Sequence, residues 1–328
     1  MCALARRDTL PGKLLLDRFL LGGKIGAGAV SDVYLARQRS VGNRNVAVKV
    51  VKRLLCESDT PEARIHRQRF QFEAELLAMV KSSCFASLVD CGTMVDEGVE
   101  RPFMIMEHLD GTALSEYVKA GRRFTIGGAA RIVLLLAEAM LDLHRFKVVY
   151  RDLSPNNVIL EEGGPFGLVP RLFDLSHAIV PGVGGMDDSG GAGSLLAGTP
   201  PYAAPELRSA AGDERSDQFS LAAIFYAMLT SLPPIVLRSQ TWEDYGAAVA
   251  GRRVLPEKPL KKYLPRVPRG LDAVVATALD VRPERRYPTV QEFIQDLCEV
   301  LLKSSLAKGT EGGDGFLSGL IARITLRG

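Results

Sequence analysis

The stretch "VVYRDLSPNNVIL", residues 148–160, decides how this chain is read. It sets an Arg-Asp pair between two apolar runs, with Asn157 five places after Asp152. Taken alone, such a stretch reads as a surface turn, because Asp and Asn side chains bond readily to their own backbone. It reads equally as an active-site loop if the flanking chain supplies groups that need it.

On the N-terminal side, "FLLGGKIGAG" and "SDVYLARQ" predict a hairpin around a glycine-rich turn, and "NVAVKVVKR" alternates as a half-buried strand does. Glycines there let the backbone approach phosphates closely, although Gly26 and Gly28 alone are a weak signal. Lys49 sits among the apolar neighbours of that strand, where a buried ammonium needs an anionic partner. Phe70, Leu76, Leu77 and Val80 recur at helical spacing over residues 62–81, and that helix offers Glu73 or Glu75, 24 or 26 residues after Lys49. "PFMIMEHL" predicts a further strand. After Gly111 the character changes: "AARIVLLLAEAMLDLHRF" is a strong helix, and most of the remaining chain is helical. These patterns predict an α+β chain, a small sheet-rich lobe joined near residues 107–111 to a larger helical lobe.

Composition narrows the function classes. The chain has 328 residues, 47% of them hydrophobic, enough for one large two-lobed domain. Its 41 basic and 38 acidic residues leave +3, too small a surplus to make nucleic acid or an anionic membrane the main partner. Five scattered cysteines without a C-x-x-C pair predict neither a disulfide framework nor a zinc site, and fit a cytoplasmic setting. The apolar run at residues 14–16 is too short for a signal peptide. Residues 219–237 carry no charge, but Pro233 and Pro234 interrupt them, so a buried helix ending near Ser231 is expected rather than a membrane span. The glycine-rich residues 181–198 read as a functional loop or a linker, and residues 303–328 as a flexible tail with a short amphipathic end.

In order, the chain carries "GAGAVSDVY", "VAVK", "FEAELLA", "MIMEHLDGTAL", "YRDLSPNN", "FDLS", "GTPPYAAPE", "SDQFSLA" and "RPERRY". In these motifs it resembles the protein kinase family, in particular the eukaryotic-like serine/threonine kinases of bacteria. The resemblance implies a two-lobed kinase-like fold over residues 17–302, with an N-lobe over 17–106, a hinge over 107–111 and a C-lobe over 112–302, preceded by an extension over 1–16. It implies ATP as phosphoryl donor, Mg²⁺ or Mn²⁺ as the metal, and protein substrates, with weak self-association during autophosphorylation. Lys49 would hold the α- and β-phosphates and pair with Glu73, Asp152 would receive the substrate hydroxyl, and Asn157 and Asp174 would be metal ligands. Ile25, Gly26, Ala27, Gly28, Val33, Ala47, Met106, Glu107, Leu109 and Ile159 would surround the nucleotide. Glu206 would pair with Arg286, and Asp217 would brace the loop at Asp152. Arg151 would bind a phosphate on the segment between Asp174 and Glu206, with Ser189 and Ser194 as candidate acceptors and Thr199 nearer the peptide site.

Four positions depart from the family pattern: Ser31 for the third glycine, Tyr150 for a histidine, Ser154 for a lysine, and Ser176 for the glycine after Asp174-Leu175. Together they raise a second reading, a nucleotide-binding pseudokinase scaffold. A third, a small-molecule phosphotransferase, is disfavoured by "GTPPYAAPE", which resembles the peptide-receiving segment of protein kinases.

Overall fold

The computed structural model describes residues 9–163, 167–182, 197–250 and 255–306, with residues 305 and 306 described by backbone alone. Ser189 and Ser194, the 307–328 part of the tail and residues 1–8 lie outside the described residues. The chain divides into two compact units, Met1–Lys81 with Ala86–Asp110, and Ser82–Phe85 with Gly111–Gly328.

The first unit is built on an antiparallel sheet of β1 (Leu14–Leu15), β2 (Phe19–Ala27), β3 (Ser31–Gln38), β4 (Arg44–Val51), β5 (Leu88–Asp96) and β6 (Val99–Glu107). The strand order is β1-β2-β3-β4-β6-β5. Val33 lies opposite Lys49 and Lys49 opposite Met104, while Leu35 lies opposite Ala47 and Ala47 opposite Met106. Directly opposed residues share a face, so these six side chains form one side of the sheet. The alternate residues Tyr34, Val46, Val48, Val50, Phe103 and Ile105 form the other side and bury into the core with Leu10, Leu15, Phe19 and Leu21. The chain before Asp17 therefore supplies core side chains and a short strand paired to β2.

Among the described residues two helices complete this unit, α1 (Arg53–Glu57) and α2 (Pro61–Met79). Helix α2 starts where its sequence says it should: Thr60 accepts from the Ala63 N–H at 3.3 Å, Pro61 takes the first turn, and Glu62 complements the dipole. Its buried face carries Ala63, Phe70, Glu73, Leu76 and Leu77, which makes Glu73 the single acid on that face.

The second unit opens with β7 (Thr112–Ala113), pairing with the hairpin of β8 (Val158–Glu162) and β9 (Leu168–Leu172). Gly111 lies so close to this sheet that a Cβ would sit 2.4 Å from the Leu160 carbonyl oxygen, so glycine is required there. The rest is helical: α3 (Leu114–Lys119), α4 (Ile126–His144), α5 (Glu214–Thr230), α6 (Trp242–Val249), α7 (Leu271–Ala278) and α8 (Val290–Leu306). Helix α5 begins with a capping box between Asp213 and Ser216 and ends at Ser231, whose backbone turns left-handed at φ 61° just before the two prolines. Every residue from Ser216 to Thr230 is buried, so the uncharged stretch is the central helix of the unit, packed against α4, α7 and α8. Among the described residues no helix is long and apolar enough to cross a membrane.

Candidate active site

In the first unit, β4 presents Lys49 on the face opposite the main core, and α2 brings Glu73 to it. The ammonium lies 2.7 Å from Oε1 and 2.8 Å from Oε2, with both residues buried. A charge enclosed in this way persists only when paired and hydrogen-bonded. Glu75 is turned away, accepting from Gln71 on the exposed side of α2.

Register places the residues expected around the nucleotide in one neighbourhood of this sheet. Gly26 opposes Val33, Val33 opposes Lys49, Ala47 opposes Met106, and Val46 opposes Glu107. Ile25 and Ala27 lie at the open end of β2, where Ile25 is 52% exposed, and Leu109 follows β6 partly buried. The turn after β2 is closed by the Gly28 N–H on the Ser31 carbonyl at 2.8 Å. Ser31 starts β3 opposite Val51 with no left-handed φ, so a third glycine is not needed to shape the turn.

In the second unit, the β8–β9 hairpin explains the seventeen-residue gap between Asn157 and Asp174. Val158 opposes Leu172, so Asn157 enters one strand close to where Asp174 leaves the other. Ile159, opposite Arg171, lies one step further along the hairpin. The Asn157 amide donates to the Asp152 carbonyl and to Asp152 Oδ2, both at 2.9 Å. With its NH₂ committed, Asn157 presents its amide oxygen as the end available to a hard cation, which suits a Mg²⁺-type ligand set with Asp174. Asp174 is oriented by the Ser176 N–H at 2.9 Å, in a backbone that is not left-handed at Ser176.

Burial pushes the Asp152 carboxyl above its ordinary value, and the Asp174 charge raises it further. His177, the Asn157 amide and the Thr199 hydroxyl pull the other way without reversing the direction. A raised carboxyl pKa moves the group toward the range useful for proton acceptance. Thr199 Oγ1 lies 3.1 Å from Asp152 Oδ1 and 3.1 Å from Ser154 Oγ, so both Asp152 oxygens are held.

The loop carrying Asp152 is braced from α5. Asp217 accepts the backbone N–H groups of Tyr150 and Arg151 at 2.9 Å each and pairs with His144 Nε2 at 2.8 Å. That clamp offsets the left-handed backbone of Arg151, φ 70°, a conformation that costs a non-glycine residue about 1 to 3 kcal/mol. His144, on α4, was not among the residues that sequence reasoning singled out; its spacing on an apolar helix reads simply as core.

The segment after residue 196 is fastened at several points. Gly198 has φ 97°, and a Cβ there would lie 2.9 Å from the Arg151 carbonyl oxygen. Tyr245 donates to the Ala203 carbonyl at 2.6 Å and Ser220 to that of Tyr202 at 3.0 Å. Glu206 receives both guanidinium ends of Arg286 at 2.7 Å each and the Ser216 hydroxyl at 2.8 Å, while the Arg286 cation stacks over Phe219 at 4.8 Å.

The protein kinase domain family matches residues 19–299, and the chain belongs to that family. Among curated proteins it resembles a probable serine/threonine-protein kinase of Corynebacterium efficiens, 28% identical over 301 residues, covering 90% of this chain and 43% of the relative. It also resembles serine/threonine-protein kinase PknB of Mycobacterium tuberculosis, 30% identical over 292 residues, covering 87% and 43% of the two chains. Pkn1 of Myxococcus xanthus, a serine/threonine-protein kinase, is 31% identical over 276 residues, covering 84% and 37%. The chain therefore spans less than half the length of these relatives. In fold it is similar to the crystal structure of the Mycobacterium tuberculosis PknI kinase domain, with a TM-score of 0.61 and 24% identity over 91% of this chain and 100% of that one.

Proposed function

We propose that this chain is an ATP-dependent protein kinase transferring the γ-phosphoryl group to Ser or Thr hydroxyls of protein substrates, itself included, in a cytoplasmic setting. The observation that carries the reading is Asp152, a carboxylate held at both oxygens, by Asn157 of its own loop and by Thr199, with Asp174 at the far end of the β8–β9 hairpin. Lys49, anchored by Glu73, neutralises phosphate charge, and the Gly26–Gly28 turn brings backbone N–H groups to the phosphates. Val33, Ala47 and Met106 supply the apolar surface for the base, with backbone groups of Glu107 and Leu109 as its hydrogen-bond partners. A divalent cation, Mg²⁺ in the first place and Mn²⁺ as a substitute, supplies charge neutralisation of the transferred phosphoryl group when bound. Asp152 orients the acceptor hydroxyl and takes its proton.

Two observations favour a protein acceptor over a small molecule: the segment Thr199 to Glu206 is tied down along its length, and the relatives named above are serine/threonine-protein kinases. The scaffold reading loses support because Ser31 and Ser176 occupy backbone open to any residue, and every group needed for transfer is present. Incubation of the purified chain with ATP and Mg²⁺, followed by mass-spectrometric mapping, should find phosphate on Ser and Thr only, and none in an Asp152→Ala control. Phosphotyrosine, or sites that persist in the control, would contradict the proposal.

A further inference from the structure

Charge is spread unevenly over the second unit. Residues 258–269, "KPLKKYLPRVPR", carry five basic residues and no acid, and residues 119–124, "KAGRRF", carry three more and again no acid. The fold brings these two segments together. Arg123 donates to the Tyr263 carbonyl at 3.1 Å. Helix α5 fastens both: the Phe124 N–H donates to its Met228 carbonyl at 2.9 Å, and its Tyr226 hydroxyl donates to the Lys258 carbonyl at 2.8 Å. A chain with a net charge of only +3 therefore has one surface where a single sign dominates.

Arg122, Arg123, Lys261, Lys262, Arg266 and Arg269 are all exposed. Among the described residues none of these six makes an ion pair, whereas Arg171, Arg215 and Arg286 of the same unit each hold a carboxylate. Arg123 meets a neutral carbonyl and Arg122 lies over the Tyr117 ring at 5.7 Å, and neither contact cancels a charge. Asp272 is turned to the backbone, accepting from the Leu260 N–H at 2.6 Å. The frame beneath the cations is stiff. Pro259, Pro265 and Pro268 fix their own φ, Leu260 is fully buried, and the N–H groups of Tyr263 and Leu264 close back on its carbonyl at 2.8 and 2.9 Å. Cations spaced on such a frame lose little freedom when an anionic partner arrives.

The surroundings favour one kind of polyanion. Neither segment exposes a large apolar side chain to enter a bilayer. Nor does either offer a free ring for stacked bases, since Tyr117 packs on Phe124 and Tyr263 on Tyr226. An acidic polypeptide needs neither feature. We propose that this basic strip is a docking surface for an acidic segment of a protein acceptor, held apart from the reacting hydroxyl. The word acceptor rests on the kinase reading, whereas capture of an acidic chain does not.

The test titrates a fluorescein-labelled oligoglutamate peptide against the full chain by anisotropy, beside phosphatidylserine vesicles and oligothymidylate. Lys261→Glu with Lys262→Glu should weaken peptide binding at least about tenfold, as should Arg122→Glu with Arg123→Glu, and Lys261→Gln with Lys262→Gln should fall between. Arg37→Glu with Arg39→Glu makes the same change in net charge on exposed residues of the first unit, and should leave binding within about twofold of the parent. Added salt should weaken the complex. With a serine peptide bearing an oligoglutamate arm as acceptor, the Lys261→Glu, Lys262→Glu variant should raise KM for that acceptor at least about fivefold, with kcat and the KM for ATP within about twofold. The same acceptor without its arm should show no difference. Equal peptide binding by the parent and the lysine-reversed variant overturns the proposal, as does an equal loss in the first-unit variant, or vesicles or oligothymidylate bound as tightly as the peptide. If the parent transfers no phosphate, the kinase reading fails and the anisotropy titration alone decides the surface.

Discussion

Lys49 and Glu73 show what one residue pair contributes. Each charge is tolerable in the interior of its unit because the other is 2.7 to 2.8 Å away, and removing one takes a close ionic partner from the other where it is buried. Lys49→Met should therefore destabilise the chain by about 3 to 5 kcal/mol, seen as a lowered denaturation midpoint, while abolishing measurable transfer. Lys49→Met paired with Glu73→Leu should regain most of the stability and none of the activity. Recovery of activity in the pair would show that the lysine serves packing alone. The need of Lys49 for a carboxylate was legible in its apolar flanks. Glu73 rather than Glu75 was legible only through motif alignment, because the choice depends on which face of α2 is buried. Thr199 and His144 were harder: each acts by a side-chain bond to a residue far away in sequence, Asp152 on its loop and Asp217 on α5, and local patterning carries no signal for such contacts.

At the scale of elements, the strands and long helices were readable from periodicity and breakers, as the apolar spacing of α2 and the prolines just after α5 illustrate. The hairpin that sets Asn157 near Asp174 was not, since a seventeen-residue gap fits many connections. Nor did the sequence before Asp17 reveal how it is used. Leu10 and Leu15 enter the core, and Asp96 at the end of β5 gathers Thr9, Lys13 and Arg101. Burial by itself would raise the Asp96 carboxyl, but hydrogen bonds from Lys13, Arg101 and Thr9 hold it at about 2. A depressed carboxyl stabilises the fold above its unfolded pKa of about 3.9 and loses that contribution as pH falls toward the folded value. Unfolding free energies of the parent and Asp96→Asn should thus differ most at pH 5 to 7 and converge between about pH 4 and 2. A gap that stays constant across that window would separate Asp96 from this role. In the second unit, Arg286→Ala should cost about 3 to 5 kcal/mol, because it leaves Glu206 without its two-pronged partner.

Across the whole molecule, the four cysteines of the described residues are free thiols and report on folding without new probes. Burial pushes Cys84 up to about 11 and Cys298 up to about 12, whereas Cys91 is exposed. Alkylation at pH 8 should label Cys91 within minutes and spare Cys84 and Cys298 until denaturant is added. Labelling of Cys298 in native conditions would mean that α8 is not seated as described. The proposed function assigns Lys49 and Glu73, in one unit, and Asp152, Asn157 and Asp174, in the other, to a single reaction, and it stands or falls on phosphoryl transfer. The most direct measurement is the initial rate of γ-phosphoryl transfer from radiolabelled ATP to casein, parent against Asp152→Ala. The account predicts Mg²⁺-dependent transfer by the parent and a loss of at least about a hundredfold in the variant. No transfer by the parent, or equal rates in the two proteins, would contradict it.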